Sequence, residues 1–335
     1  MKILVTGNLG YIGSILTDDL IAKGYEVVGF DSGYFKDCNL LPVTKLKNQI
    51  LKDIRKIEKK DIESCEAVIH LAALSNDPLG EINPKITEEI NFGGTIRLAE
   101  IAKRIGIRRF VNVSTQSIYG ISSIEEELDE YNSIKNPVTE YAKTKWKAEV
   151  ELQKLNSRNF NIISFRPSTV FGMSPRLRCD IVFNNLISCA YTKKIIEIKS
   201  DGSPWRPVVH VKDVCNSLIA GLEAPSEIIS GRVFNVGFLN GNYTVKQLAE
   251  FISSVVENSR IIFTNEHNKD SRTYKVSFNR INNELKNFYK PQWDLRKGAE
   301  EMLLFFKKKN FTEKDFKGTK TNRLLYLKKN LHILN

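Results

Sequence analysis

The chain alternates short, continuously apolar blocks with stretches whose apolar residues recur every three or four positions. The blocks at 2–6, 26–30, 67–70, 109–113 and 161–165 are short and rich in Val, Ile and Phe, and predict buried strands. Between them, 11–23 and 84–104 have the spacing of helices laid on a sheet. Asn136-Pro137 marks a break, because the residue before proline is pushed out of helical geometry. A long helix is predicted from there to about residue 155. This order predicts an α/β fold, a doubly wound parallel sheet with crossover helices. After Arg166 the rhythm loosens, and Pro167, Gly172, Pro175, Gly202, Pro204 and Pro207 punctuate what read as loops lining a cleft. Helices are predicted at 178–192, 212–222, 245–256 and 295–308, with a short strand at 233–236. No internal repeat is visible. The expected organisation is a nucleotide-binding domain over 1–166, a smaller α/β substrate-binding lobe over 167–309 with segments returning to the first domain, and a basic tail over 310–335.

Composition narrows the class. The 335 residues are 41% hydrophobic and 27% charged, which excludes disorder and collagen-like repetition. The longest apolar runs fall far short of the roughly 20 residues that span a bilayer, so no membrane span is expected. The N-terminus enters a strand pattern at once, so no signal peptide is expected either. Five scattered cysteines without a Cys-x-x-Cys fit reduced thiols in a cytoplasmic protein better than disulfides or a metal site. Residues 307–335 hold nine basic and two acidic residues, nine less two, and so carry +7 of the net +11. That concentration reads as a solvated basic tail, and nucleic acid is not the expected partner.

Residues 6–13 read Thr-Gly-Asn-Leu-Gly-Tyr-Ile-Gly, directly after the first strand and opening the first helix. Gly7 permits the tight turn, Gly10 lets backbone approach a pyrophosphate, and Gly13 allows close helix–strand packing. The unpaired N–H groups of the helix start face the anion. Asp31 ends the second strand, where a carboxylate accepts from both ribose hydroxyls and repels a 2′-phosphate. The expected cofactor is NAD on a Rossmann-type sheet.

Tyr141 and Lys145 lie four apart on the long helix and so share a face. A phenol of pKa about 10 serves as a base near neutrality only if cations stabilise the phenolate. Lys145 and the positive nicotinamide ring are the expected cations. Ser114 and Thr115 end the fourth long strand, where hydroxyls reach the same cleft.

These motifs resemble the extended short-chain dehydrogenase/reductase family, in its NAD-dependent branch of nucleotide-sugar epimerases and dehydratases. The resemblance covers nearly the whole chain. It rests on the 6–13 turn, Asp53-Ile54, His70-Leu-Ala-Ala73, Asn91 with Gly94-Thr95, the 114–120 strand end, Tyr141/Lys145, Arg166-Pro167 and Val170-Phe-Gly172. It implies an NAD site made of Gly7, Leu9, Gly10, Tyr11, Ile12, Gly13, Asp31, Asp53, Ile54, Leu71, Ala72, Ala73, Tyr141, Lys145 and Pro167. It further implies Tyr141 as general base, Lys145 lowering its pKa, and Thr115 bonding the reacting sugar oxygen. Ser114, Thr115, Asn185, Arg206 and Arg272 match substrate-binding positions, the two arginines as diphosphate ligands. Arg176 and Arg178 are further candidate anion contacts, and His210 with Asp213 reads as a polar pair closing a helix start. The implied partners are a nucleotide-diphosphate sugar and a second copy of the chain, joined through helices 84–104 and 138–155.

A 4,6-dehydratase places acidic residues just after the catalytic Thr, whereas here Gln116 and Ser117 stand there. An epimerase lacks nothing, so the expected activity is nucleotide-sugar epimerisation at C4. The alternatives are a nucleotide-linked heptose C4 dehydrogenase, which the 170–178 block and the tail resemble, and a non-catalytic NAD-sensing scaffold.

Overall fold

The computed structural model describes residues 1–75, 77–122, 125–264 and 273–334. In chain order the strands are β1 (Lys2–Thr6), β2 (Glu26–Asp31), β3 (Gln49–Leu51), β4 (Ala67–His70), β5 (Arg109–Val113), β6 (Asn161–Pro167), β7 (Thr169–Phe171), β8 (Ile195–Ile198), β9 (Trp205–His210), β10 (Arg232–Val236), β11 (Asn242–Thr244) and β12 (Arg260–Phe263). Seven of them form one parallel sheet in the order β10-β6-β5-β4-β1-β2-β3. The strands predicted from the apolar blocks are all present. Their two faces alternate as period two requires. Ile3, Val5, Ala67, Ile69, Val111 and Val113 enter one core, while Leu4, Val68 and Phe110 enter the core on the other side. Both faces are covered, which is why the strands read as unbroken apolar runs.

The chain order reverses between β1 and β4, leaving a crevice beyond their C-terminal ends, where ligands bind in open α/β sheets. Helix Tyr11–Ala22 packs on helix Val211–Glu223 through Leu16, Leu20, Val214 and Leu218. The stretch read as one helix over 84–104 is three pieces. A helix at Pro84–Glu88 and another at Thr95–Arg104 flank a π turn at Glu89–Gly94. Gly94 closes the π turn where a side chain would come within 2.8 Å of Ile54.

A second core joins Phe171, Phe183, Val208, Leu248 and Phe306. Two small sheets, β11-β9-β7 and β12-β8, belong to this half, while β10 returns to the large sheet beside β6. The helix expected from 178 begins only at Val182, because residues 178–181 run along the crevice first. The helix predicted at 295–308 is Leu295–Lys309. His210 and Asp213 both stand at the start of the helix Val211–Glu223, as expected, each with backbone partners of its own. His210 caps its helix by accepting from the Lys212 N–H, while the Asp213 carboxylate accepts from the backbone of Gln292 and Trp293.

The tail is a correction. Instead of a solvated basic extension, it folds back as helices Glu313–Lys317 and Arg323–Lys329 followed by a turn at Leu331–Leu334. Leu327 and Leu334 are buried in the core shared with Leu4 and Phe30. Its lysines face outward, so its charge disguised an apolar underside.

Candidate active site

A cavity of about 590 Å³ lies beyond the ends of β1, β4 and β5 and is completed by residues 178–186 and 197–206 from the other half. Its floor is the turn after β1. Gly7 has φ +73°, and a Cβ there would fall 2.8 Å from the Ala72 nitrogen. At Gly13 a Cβ would sit 2.1 Å from the Gly7 carbonyl oxygen. Any side chain at either position would push the turn away from the helix. Gly10 precedes the helix Tyr11–Ala22 and offers no side-chain cap, so the first N–H groups of that helix stay available to an anion. Asp31 is held beside this turn. Its two carboxylate oxygens accept from Leu9 N–H at 3.2 Å and Gly33 N–H at 2.8 Å, and each retains acceptor capacity for a ribose hydroxyl. Burial raises the Asp31 pKa, opposed by these N–H groups, Arg176 and Arg323.

The wall after β4 is locked by His70. One ring nitrogen bonds Thr6 Oγ1 and the other Thr95 Oγ1, each at 2.7 Å. The Thr6 hydroxyl in turn accepts from Leu71 and Ala72 N–H. Burial, followed by the charge of Lys145, pulls His70 down to about 3, so it is a neutral strut. In the π turn, Asn91 clamps Leu74, accepting from its N–H and donating to its carbonyl. π turns recur near functional sites for this reason: they turn one side chain out of helical register.

The helix Glu140–Leu155 brings Tyr141 and Lys145 onto the cavity, opposite Ser114 and Thr115 at the end of β5. Thr139 caps this helix by accepting from Ala142 N–H, and its hydroxyl donates to Asp77. Thr115 accepts from Ser117 N–H and is hydrogen-bonded to the Tyr141 phenol. Gln116 is fixed by donating to the Arg166 carbonyl.

The cavity therefore gathers Gly7, Gly10, Tyr11, Ile12, Gly13, Asp31, Asp53, Ile54, Leu71, Ala72, Ala73, Ser114, Thr115, Tyr141, Lys145, Pro167, Asn185 and Arg206. Leu9 is not on its wall and contributes through its bond to Asp31. The Asp53 carboxylate is engaged by Arg55 and Tyr34. Asn185 donates to the Cys179 carbonyl and Arg206 to that of Trp205. Arg272 lies outside the described residues.

A sequence profile of the NAD dependent epimerase/dehydratase family matches residues 3–237. The chain belongs to that family. It is 30% identical over 254 residues to a UDP-glucose 4-epimerase of Mycolicibacterium smegmatis, covering 71% of this chain and 77% of the relative. To UDP-glucuronic acid decarboxylase 1 of Arabidopsis thaliana it is 27% identical, covering 95% of this chain and 72% of the relative. A crystal structure of UDP-glucuronic acid 4-epimerase from Bacillus cereus, in complex with UDP-glucuronic acid and NAD, superposes with a TM-score of 0.77. The two are 25% identical, with 92% of this chain and 99% of the other covered.

This epimerase/dehydratase-family enzyme uses NAD, and its glycine turn and Asp31 fit that cofactor. Within the protein alone, burial outweighs the groups that lower the Tyr141 pKa, the Thr115 hydroxyl and the Arg178 charge. Burial pushes the phenol up to about 12, the Thr115 hydroxyl opposes this, and the Asp77 charge adds to it. Lys145 is itself pulled down to about 8 by burial, with Glu149 opposing.

Sequence reasoning missed the depth of the arginine set. Arg178 lines the cavity and is paired with Asp180 at 2.9 and 3.1 Å, while its Nη1 donates to the Ser75 carbonyl. Arg176 is buried and donates to the Phe35 carbonyl. Arg323, from the tail, lies on the same wall. The spacing of Leu324, Leu327 and Leu334 was the available signal that the tail had a buried side.

Proposed function

We propose that this enzyme is a nucleotide-sugar 4-epimerase. The observation that carries the reading is the bonded Tyr141–Thr115 pair, set against a glycine turn built for a dinucleotide. NAD, when bound, would supply reversible two-electron redox chemistry at the sugar C4. Tyr141 takes the C4 hydroxyl proton and gives it back after the keto sugar has turned over. Thr115 orients the reacting oxygen. Lys145, a buried ammonium one turn away, favours the phenolate by its charge. Positioned proton transfer of this kind is worth roughly 10²–10⁴ in rate. Arg206 holds the substrate diphosphate, with Arg272 as the matching second arginine, Asn185 contributes to substrate binding, and the chain acts as a homodimer.

Gln116 and Ser117 support this reading over dehydration, because an amide and a hydroxyl stand where proton-transfer carboxylates are needed. The test is incubation with UDP-glucose, UDP-glucuronate and the GDP- and CDP-sugars, with products followed by NMR and the cofactor by absorbance at the nicotinamide band. A C4 epimer without net NADH is expected. Stoichiometric NADH with a 4-keto product would replace epimerase by dehydrogenase, and release of carbon dioxide from UDP-glucuronate would replace it by decarboxylase.

A further inference from the structure

Arg323 is carried into the cofactor cavity by the folded-back tail. It is only 6% exposed, yet its Nη2 has no hydrogen-bond partner among the described residues. Leaving a guanidinium nitrogen buried and unmatched is costly, so its place calls for an acceptor brought by a ligand. The guanidinium carbon lies 4.8 Å from the Phe35 ring centroid, a contact that fixes its plane.

Both flanks of this arginine are pinned. On one side the Thr321 carbonyl accepts from Cys179 N–H at 2.8 Å and the Thr319 carbonyl from the Cys38 thiol. On the other, Leu327 is fully buried, and the Leu334 carbonyl accepts from Arg55 Nη2 at 2.9 Å. Arg55 also holds Asp53 on the cavity wall. The tail thus crosses the cavity wall with its two ends tied to elements that line the cavity.

Charge indicates what the acceptor is. Arg176, Arg178 and Arg323 face one another's fields, with Asp180 bound to Arg178 and Asp31 bound to backbone N–H groups. Asp37, the third carboxylate near this group, accepts from the Tyr326 hydroxyl, so none of the three carboxylates meets Arg323 Nη2, and the anionic group that NAD itself brings to the cavity is its diphosphate. Asp31, bonded to Leu9 of the glycine turn, lies within the field of Arg323. The substrate-facing Asn185 and Arg206 come from the other half. Burial and the neighbouring arginines pull Arg323 down to about 10, the direction an anion would reverse.

We propose that residues 310–334 form a structural part of the dinucleotide site, and that Arg323 donates through Nη2 to the diphosphate of bound NAD. The proposal rests on the cofactor and is independent of which sugar reaction follows.

The test is calorimetric titration of the full chain and of Arg323→Met and Arg323→Lys with NAD⁺, ADP-ribose, adenosine and UDP. For Arg323→Met, NAD⁺ and ADP-ribose are expected to bind roughly tenfold to hundredfold more weakly, the range for a charge-assisted hydrogen bond. Adenosine and UDP should be unchanged, and Arg323→Lys, which keeps the buried charge, should show an intermediate loss. In parallel, NAD⁺ should slow tryptic cleavage after Lys320 and Lys328 in the wild-type chain. NAD⁺ affinity within twofold of wild type in either variant overturns the proposal. So does equal weakening of all four ligands, which would mean a loosened fold, or a loss confined to UDP, which would move the arginine to the substrate.

Discussion

Arg166 and Glu149 form an ion pair in which each side chain is only 2% exposed, joining the end of β6 to the helix that bears Tyr141 and Lys145. Arg166 donates through Nε to Glu149 at 3.1 Å, and through Nη1 to the Tyr119 hydroxyl and the Glu130 carbonyl. Glu149 stands one turn beyond Lys145, so the pair fixes the rotation of the helix and therefore the direction in which its catalytic face looks.

Replacing one partner should be far worse than its charge alone implies. Glu149→Gln leaves a buried guanidinium without its counter-ion, a change that costs about 3–5 kcal/mol. Urea unfolding at neutral pH should show it, with the double variant Glu149→Leu/Arg166→Met closer to wild type. Glu149 also holds the Lys145 pKa up against burial. Activity that needs the Lys145 charge should fall as pH rises through about 8, and in any Glu149→Gln protein that remains folded this fall should move to lower pH.

Tyr141→Phe removes the proposed proton acceptor while leaving the glycine turn and Asp31 in place. Turnover should fall by roughly 10²-fold or more, with NAD affinity within a few-fold of wild type by calorimetry. Near-normal turnover would remove Tyr141 from its role.

The burial of neutral His70 makes stability depend on pH. Its folded pKa is about 3 and its ordinary value 6.5, so between these only the unfolded chain binds the proton. Stability contributed by this residue is complete above pH 6.5 and declines as pH falls, at up to about 1.4 kcal/mol per pH unit. Denaturant midpoints measured from pH 6.5 down to 5 should fall in the wild type and be flatter in His70→Gln.

Gly13→Ala tests the cradle. Its Cβ would lie 2.1 Å from the Gly7 carbonyl oxygen, so the turn and the helix start must separate. NAD affinity should fall by at least roughly tenfold, since the helix N–H groups lose their line to the anion. Unchanged affinity would show that the turn is not the phosphate site.

The sequence by itself determined the large sheet and the cofactor end of the site. Parallel strands covered on both faces leave unbroken apolar runs, and a turn that touches phosphate admits only glycine at Gly7 and Gly13, so both constraints are local and visible in the linear chain. It also placed Tyr141 one helical turn from Lys145, because helix period alone puts them on one face. Only the tertiary structure decided the rest. The clamp of Asn91 on Leu74 depends on a π turn that helical periodicity does not show, the electrostatic state of Tyr141 depends on burial among residues distant in sequence, and the fate of the tail depends on whether Leu327 and Leu334 find a core to enter. Charge on the outer face of a short helix conceals such an apolar side, and Arg323 reached the cofactor cavity because packing nearly 300 residues from β2 put it there.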